Sequence, residues 1–451
     1  MTEDSKLSEL TKDAKQAMIS QFLGFGLDAY DMALVIVMAP ILTKVFASPG
    51  QSGAWQYLTI VLFYSITMAA RPIGSALFGH YADKIGRRNL LILTIAGVGL
   101  MSGLSALAPT KDQVGVGTAF LIFGLLRLVM GIFFGGEYAC GHAFAIEHAP
   151  KSRRGAIGGF IQSGFAFGFA SASFVVLAFS LALGEAAMQN YGWRIVFATG
   201  ILPVIAALWV RTSLVESPEF KRVQACGKIE KAPFASLFKS PTIWVFLQVF
   251  FFMTGLFLTD YAIYQFIPGI LKGKNKFNLV EYTQIYGLAL LCAAIGYNIY
   301  GRISDKLGRV KLTQYYCVLI ALMGIPLYQL IINAAVSRNF KLALFGAVIA
   351  GMFKIHWGIL PAYLSERFPT NKRSVGVGFG YSAGALVGGA GITPLVALFH
   401  SIPAISSVEG AGELWLSASI ALTIGAVITF ISLMFSPETK DVELSEVGAE
   451  E

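Results

Sequence analysis

Charge is what this chain of 451 residues has least of: only 13% of it is Asp, Glu, Lys or Arg. Soluble proteins average about 25%, so the shortage excludes an ordinary soluble fold. Cysteine is scarce as well. Cys140, Cys226, Cys292 and Cys317 show no paired ligand spacing, so neither a disulfide framework nor a zinc site follows, and no cofactor or metal is expected. The beginning of the chain, "MTEDSKLSELTKDAKQ", lacks the basic stub, short apolar core and small-residue cleavage site of a secretory leader, so no signal peptide is expected.

Apolar residues fill the space that charge leaves. They make up 55% of the chain, and the mean hydropathy is +0.66. A helix crossing a bilayer core of about 30 Å needs about 20 mostly apolar residues. Twelve runs qualify, near 18–42, 57–78, 90–107, 118–146, 155–183, 195–209, 243–270, 284–300, 312–332, 342–364, 375–398 and 415–435. Barrel strands alternate and are about half that length, so the fold class is all-α, a membrane protein with twelve transmembrane helices in the lipid bilayer. Of the 34 Lys and Arg residues, 23 fall in the two ends and every second connecting segment, against eight in the remaining segments. That bias predicts both termini in the cytoplasm of a multi-pass protein of the cell membrane, and it explains the +8 net charge without a nucleic-acid partner.

The chain repeats itself. "GHYADKIGRR" from Gly79 returns as "GRISDKLGRV" from Gly301, "EHAPKSRRGAIGGFIQSG" from Glu147 answers "ERFPTNKRSVGVGFGYSAG" from Glu366, and "ESPEF" from Glu216 answers "SPETK" from Ser436. Six spans are therefore duplicated in parallel orientation. The expected organisation is two six-helix bundles, 1–211 and 242–451, joined by a polar cytoplasmic linker at 212–241, with a short cytoplasmic tail.

The doubled Gly-x-x-x-Asp-x-x-Gly-Arg loop resembles the signature of the major facilitator superfamily, and the resemblance covers nearly the whole chain. Within it, "ARPIGSALFGHYADKIGRR", "RLVMGIFFGGEY", "GWRIVF" and "PAYLSERFPTNKRSVGVGFGYSAGALVGG" look like the metabolite:proton symporters, whose substrates are organic acids and zwitterions. That family usually has Glu-x-x-Asp followed by Phe in the first span. Asp28-Ala-Tyr-Asp31-Met is instead closer to sialate or phosphate:proton symporters.

Charges inside the spans are Asp28, Asp31, Arg71, Arg127, Glu137, Asp260 and Lys354, with His142 and His356 beside them. Such groups line interiors and mark ion or substrate paths. Asp28 and Asp31 share a helical face, which Gly24 continues one turn earlier. By resemblance, Arg127 pairs with a first-span carboxylate; a fixed structural pair is the alternative. Glu137 either joins this site or bonds to helix-end groups. In the seventh span Asp260 lies one turn from Tyr264, and Tyr261 one turn from Gln265. Lys354, His356 and Trp357 sit mid-span in the tenth, where Lys354 is a counter-charge for an anionic substrate or for Asp260. Gln162, Asn298 and Tyr381 add candidate neutral contacts.

The repeated loops form a candidate gate of Gly79, Asp83, Gly86, Arg87 and Arg88 in the first half and Gly301, Asp305, Gly308 and Arg309 in the second. Their acids can accept bonds from helix N-termini and their arginines can pair with opposing acids, an arrangement that by resemblance is a conformational latch. The reading that follows is a proton-coupled symporter of a small organic anion working as a monomer by alternating access, with substrate and proton as its partners. A sugar or sugar-acid porter is the alternative within the class. A non-transporting receptor is the alternative outside it, and no nucleophile–base pair suggests an enzyme.

Overall fold

Apolar side chains alone do not say where a helix stops; backbone signals do. The structure, a computed structural model, describes residues 10–48, 50, 53–271, 277, 279–409 and 414–447. Its long helices are α1 (Lys12–Val37), α2 (Gly53–Ile85), α3 (Arg88–Ala106), α4 (Val116–Glu147), α5 (Arg154–Ala187) and α6 (Met188–Thr212). They continue as α7 (Thr242–Tyr261), α8 (Leu279–Leu307), α9 (Val310–Val336), α10 (Phe340–Arg367), α11 (Arg373–His400) and α12 (Trp415–Met434). Ten are long and apolar enough to cross a membrane by composition, and α2 and α8, with 33 and 29 residues, complete the twelve.

Several helices outrun the apolar stretches that announce them. Hydropathy marks the part that suits lipid, whereas a helix continues until its hydrogen bonds are interrupted. Thus α2 and α8 carry Asp83 and Asp305 on their last turns and end at Gly86 and Gly308, whose φ angles of 106° and 98° are left-handed and suit glycine. At the other end of the scale, α1 begins on a built signal. The Thr11 side chain accepts the Ala14 N–H at 3.2 Å, with Asp13 in the first turn.

Two compact units emerge from the contacts. Unit 1 comprises residues 1–150, 164–236 and 369–379; unit 2 comprises 151–163, 237–368 and 380–451. Each thus contains one segment that its half of the sequence would not supply: the start of α11 in unit 1, the start of α5 in unit 2.

In unit 1, α2 and α4 pack backbone to backbone. A Cβ at Gly131 or Gly135 would strike the carbonyls of Thr67 and Arg71, so small residues set this approach. Nearby, Leu27, Met32, Ile95, Met130, Phe134 and Val204 form an apolar core. In unit 2, α10 is discontinuous: an α-helical part ends at Met352, Ile355–Ile359 is a 3₁₀ turn, and an α-helix resumes at Leu360 with Pro361 in its first turn. Lys354 sits at that break.

Candidate functional site

Along one face of α1 the structure builds a ladder of ion pairs in unit 1. Asp31 Oδ2 accepts from Arg127 at 2.5 Å; Arg127 also donates to Ser105, and Ser102 approaches Asp31 Oδ1 at 3.4 Å. One turn earlier, Asp28 accepts from Arg71 of α2 through Oδ1, while its Oδ2 is buried with no partner among the described residues. A further turn back, Gly24 leaves the space in which Glu137 of α4 meets Arg211 of α6. Thr94 donates to Glu137 at 3.0 Å, and Arg211 also donates to the Leu91 carbonyl and, at 3.2 Å, to Ser20. All six charged side chains are at most 1% exposed. This ladder therefore balances three buried carboxylates against three guanidinium groups.

In unit 2 a lysine and an aspartate pair in the same way. Lys354 Nζ is 2.8 Å from Asp260 Oδ1, both buried. Beside them Trp357, Phe257 and Tyr381 stand edge-on to one another, with centroids 5.0 Å apart for Phe257–Trp357, 5.1 Å for Phe257–Tyr381 and 6.4 Å for Trp357–Tyr381. Trp357 Nε1, His356 Nδ1 and Gln162 Oε1 are buried without a partner among the described residues. Ile263, Ile267, Tyr286 and Leu290 join Lys354 around a small hollow. Tyr261 is buried against Phe257. Gln265, by contrast, is exposed and takes a 3.3 Å bond from Thr393, and Asn298 spends its amide on the Ala294 carbonyl of its own helix. The side chain of Tyr264 lies outside the described residues.

The repeated loops are built alike in the two units. Asp83 accepts the Ser374 and Val375 N–H groups at 3.1 and 2.9 Å, at the N-terminus of α11, and Asp305 accepts those of Gly155 and Ala156 at 2.8 Å, at the N-terminus of α5. Arg87 donates to Asp83, Glu147 and the Thr370 carbonyl; Arg309 donates to Asp305 and Glu366. Glu147 also takes Arg373 at 2.8 Å, and Glu366 has Arg154 at 3.9 Å. Gly79 and Gly301 let helix starts come close: a Cβ at Gly79 would lie 2.7 Å from the Val375 Cα, and one at Gly301 would strike the Gly155 carbonyl. Finally Glu216 caps α3 at the Arg88 N–H, 3.0 Å away, as Glu438 caps α9 at the Arg309 and Val310 N–H groups at 2.6 and 3.1 Å. The guanidinium of Arg88 itself reaches the Thr212 carbonyl at 2.9 Å.

This twofold loop on a twelve-helix frame decides the family. Residues 21–392 match the Major Facilitator Superfamily. The chain belongs to that superfamily. Its relatives include a protein of Haemophilus influenzae named for metabolite transport, 30% identical over 98% of this chain and 100% of the relative. The sialic acid transporter NanX of Escherichia coli is 29% identical, covering 86% and 87% of the two chains. Among solved structures, the proton:xylose symporter XylE bound to 6-bromo-6-deoxy-D-glucose superposes with a TM-score of 0.80 at 19% identity, covering 98% of this chain and 100% of that one. That likeness establishes the fold. The protein is thus a multi-pass membrane transporter and not an enzyme.

Two partners in this transporter escaped the sequence reading as site residues. Arg71 was visible as an embedded charge, but nothing in its spacing pointed to Asp28. Arg211 follows an apolar run that ends near Trp209 and so reads as a loop residue; in the structure α6 continues to Thr212 and turns Arg211 inward. Glu147 and Glu366 had a signal of their own, since both open the second repeated segment.

Proposed function

We propose that the transporter is a proton symporter for a small organic anion, taken up by alternating access with both termini in the cytoplasm. The observation that carries the proposal is the charge balance: each mid-membrane charge described above is already paired within its unit, as three acid–arginine pairs in unit 1 and Lys354–Asp260 in unit 2. A lone anion or a lone proton entering such an interior leaves an uncompensated charge, which low-polarity surroundings penalise heavily. An anion and a proton entering together leave none. Asp28 is the proton site of choice because one of its oxygens is unused, whereas Asp31 has neighbours at both. Lys354 is the group that reads the anion, and the name of NanX, whose substrate is itself an acid, supports that class.

Uptake by proteoliposomes is the test, with lactate, dicarboxylates, citrate, shikimate, sialate, phosphate, betaine and hexoses offered with and without an inward proton gradient. Gradient-dependent accumulation of an acid is expected; accumulation of none, beside active controls, refutes the proposal. For the anion that is taken up, Lys354→Gln is expected to weaken binding by one charge-assisted bond, about 1.5–3 kcal/mol or about 10- to 100-fold. Isothermal titration reads this directly. Unchanged affinity would return Lys354 to a purely structural pairing with Asp260.

In this reading the two exchanged segments form the latch of the cytoplasmic side. Asp83 holds the start of α11 and Asp305 the start of α5. Asp83→Asn removes charge from two such bonds, each worth about 1.5–3 kcal/mol, so the ligand-free population is expected to move toward the inward-open state. Spin labels at the cytoplasmic ends of the bundles should report longer distances, and Asp305→Asn should act in the same direction. A distance distribution identical to that of the unmodified protein, with transport reduced, would mean that Asp83 serves folding and not the latch.

A further inference from the structure

Met32 follows Asp28 by four positions, so one turn of α1 presents a carboxylate and a thioether on the same face. Both meet a single nitrogen of α2. Nη2 of Arg71 donates to Oδ1 of Asp28 and also to Sδ of Met32, 2.9 Å away. A terminal guanidinium nitrogen carries two hydrogens, so the two bonds coexist. The face of Phe134 adds a further contact, its ring centre 5.4 Å from Cζ of Arg71.

Filling the core does not account for the sulfur. Met32 is 2% exposed and packs with Leu27, Met130 and Phe134, where a branched carbon side chain of similar volume would serve equally well. What sulfur adds is a soft acceptor, weaker than a carboxylate oxygen.

That difference in strength gives the two acceptors different duties. While Asp28 is ionised, its carboxylate dominates the hold on Arg71. Once a proton lands on Oδ2, which has no partner among the described residues, Oδ1 belongs to a neutral acid and its bond to Arg71 loses the assistance of charge. Arg71 is 1% exposed and has no access to water in compensation. The other charged groups facing Asp28 are committed elsewhere: Asp31 on its own helix holds Arg127, and Glu137 of α4 holds Arg211 of α6. The thioether is already in contact.

We infer that Met32 is a positioning residue for proton uptake, its sulfur holding Arg71 in place while Asp28 is neutral so that the ion pair re-forms when the proton leaves. The inference rests on Asp28 being the proton site. In the step itself Oδ2 gains a proton from water and later returns it, and no other covalent bond changes. Met32 acts only through Arg71: it stabilises the state in which that cation lacks the Asp28 charge, and thereby raises the share of protein that carries the proton.

The experiment needs no substrate. Infrared spectroscopy on the full chain in detergent follows the carboxylic acid band of Asp28 as the pH is lowered, the band being identified by its loss in Asp28→Asn. At the pH where the unmodified protein shows half its full band, Met32→Leu is expected to lower the ratio of protonated to ionised Asp28 by about 3- to 10-fold, the worth of one modest hydrogen bond. Met32→Gln, whose carboxamide oxygen is a stronger acceptor than sulfur, should raise that ratio. A residue that merely packs the core would not move the two variants in opposite directions. An unchanged ratio in Met32→Leu, or a fall in both variants, overturns the inference. If the unmodified protein shows no Asp28 band that titrates, the symport reading itself fails and the role of Met32 falls with it. Should Met32→Gln not fold, Met32→Leu alone decides: a lowered ratio supports the inference and an unchanged one refutes it.

Discussion

Asp28→Asn is expected to abolish accumulation of the substrate against its gradient while exchange of labelled substrate across the membrane persists. Asparagine keeps the shape of the side chain but neither binds nor releases a proton, so the empty carrier loses the charge change that drives its return. Exchange needs no empty return and survives. The variant also strands Arg71, which is 1% exposed and relies on Asp28 as its carboxylate partner. Breaking one side of a buried pair costs about 3–5 kcal/mol, so a lower melting temperature is expected as well. Adding Arg71→Gln should recover much of that stability without restoring accumulation, which separates coupling from folding. Concentrative uptake by folded Asp28→Asn at the unmodified level would move the proton to Asp31 or Asp260.

Glu137→Gln is expected to damage stability more than coupling. Two nitrogens of Arg211 and the hydroxyl of Thr94 converge on this carboxylate, and Arg211 in turn ties down the Leu91 carbonyl of α3 and Ser20 of α1. Neutralising Glu137 leaves a guanidinium buried without a counter-charge, again at about 3–5 kcal/mol. Thermal unfolding in detergent measures the loss. Pairing the change with Arg211→Gln should return most of it, since removing both charges is far less costly than removing one. Transport per folded molecule should then stay close to normal. An unchanged melting temperature with lost proton movement would instead put Glu137 on the proton path.

Much of this arrangement was legible in one dimension. The twelve spans follow from runs of apolar residues, because a bilayer imposes a length that can be counted. The charges that the structure buries announced themselves too: Asp28, Asp31, Arg127, Glu137, Asp260 and Lys354 interrupt those runs, and a charge in such a place has to face the interior. The duplicated loops were plain from repetition alone, down to the glycines whose positive φ ends α2 and α8.

Partnership was legible only in part. Arg127 does take a first-span carboxylate, Asp31, 96 positions away, and Lys354 takes Asp260, as expected, whereas nothing in the sequence joined Asp28 to Arg71, 43 positions away. Glu137 takes Arg211, 74 positions away and beyond the end of the apolar run. Nor did hydropathy foretell that α10 breaks at Lys354, or that the starts of α5 and α11 are held by units other than those their sequence suggests. The division has a physical cause. Burial in a membrane depends on the local run of side chains, which the sequence displays directly. Pairing depends on how close two helices approach and how each is rotated, and that is decided by glycines such as Gly24, Gly131 and Gly135 acting against a neighbouring helix.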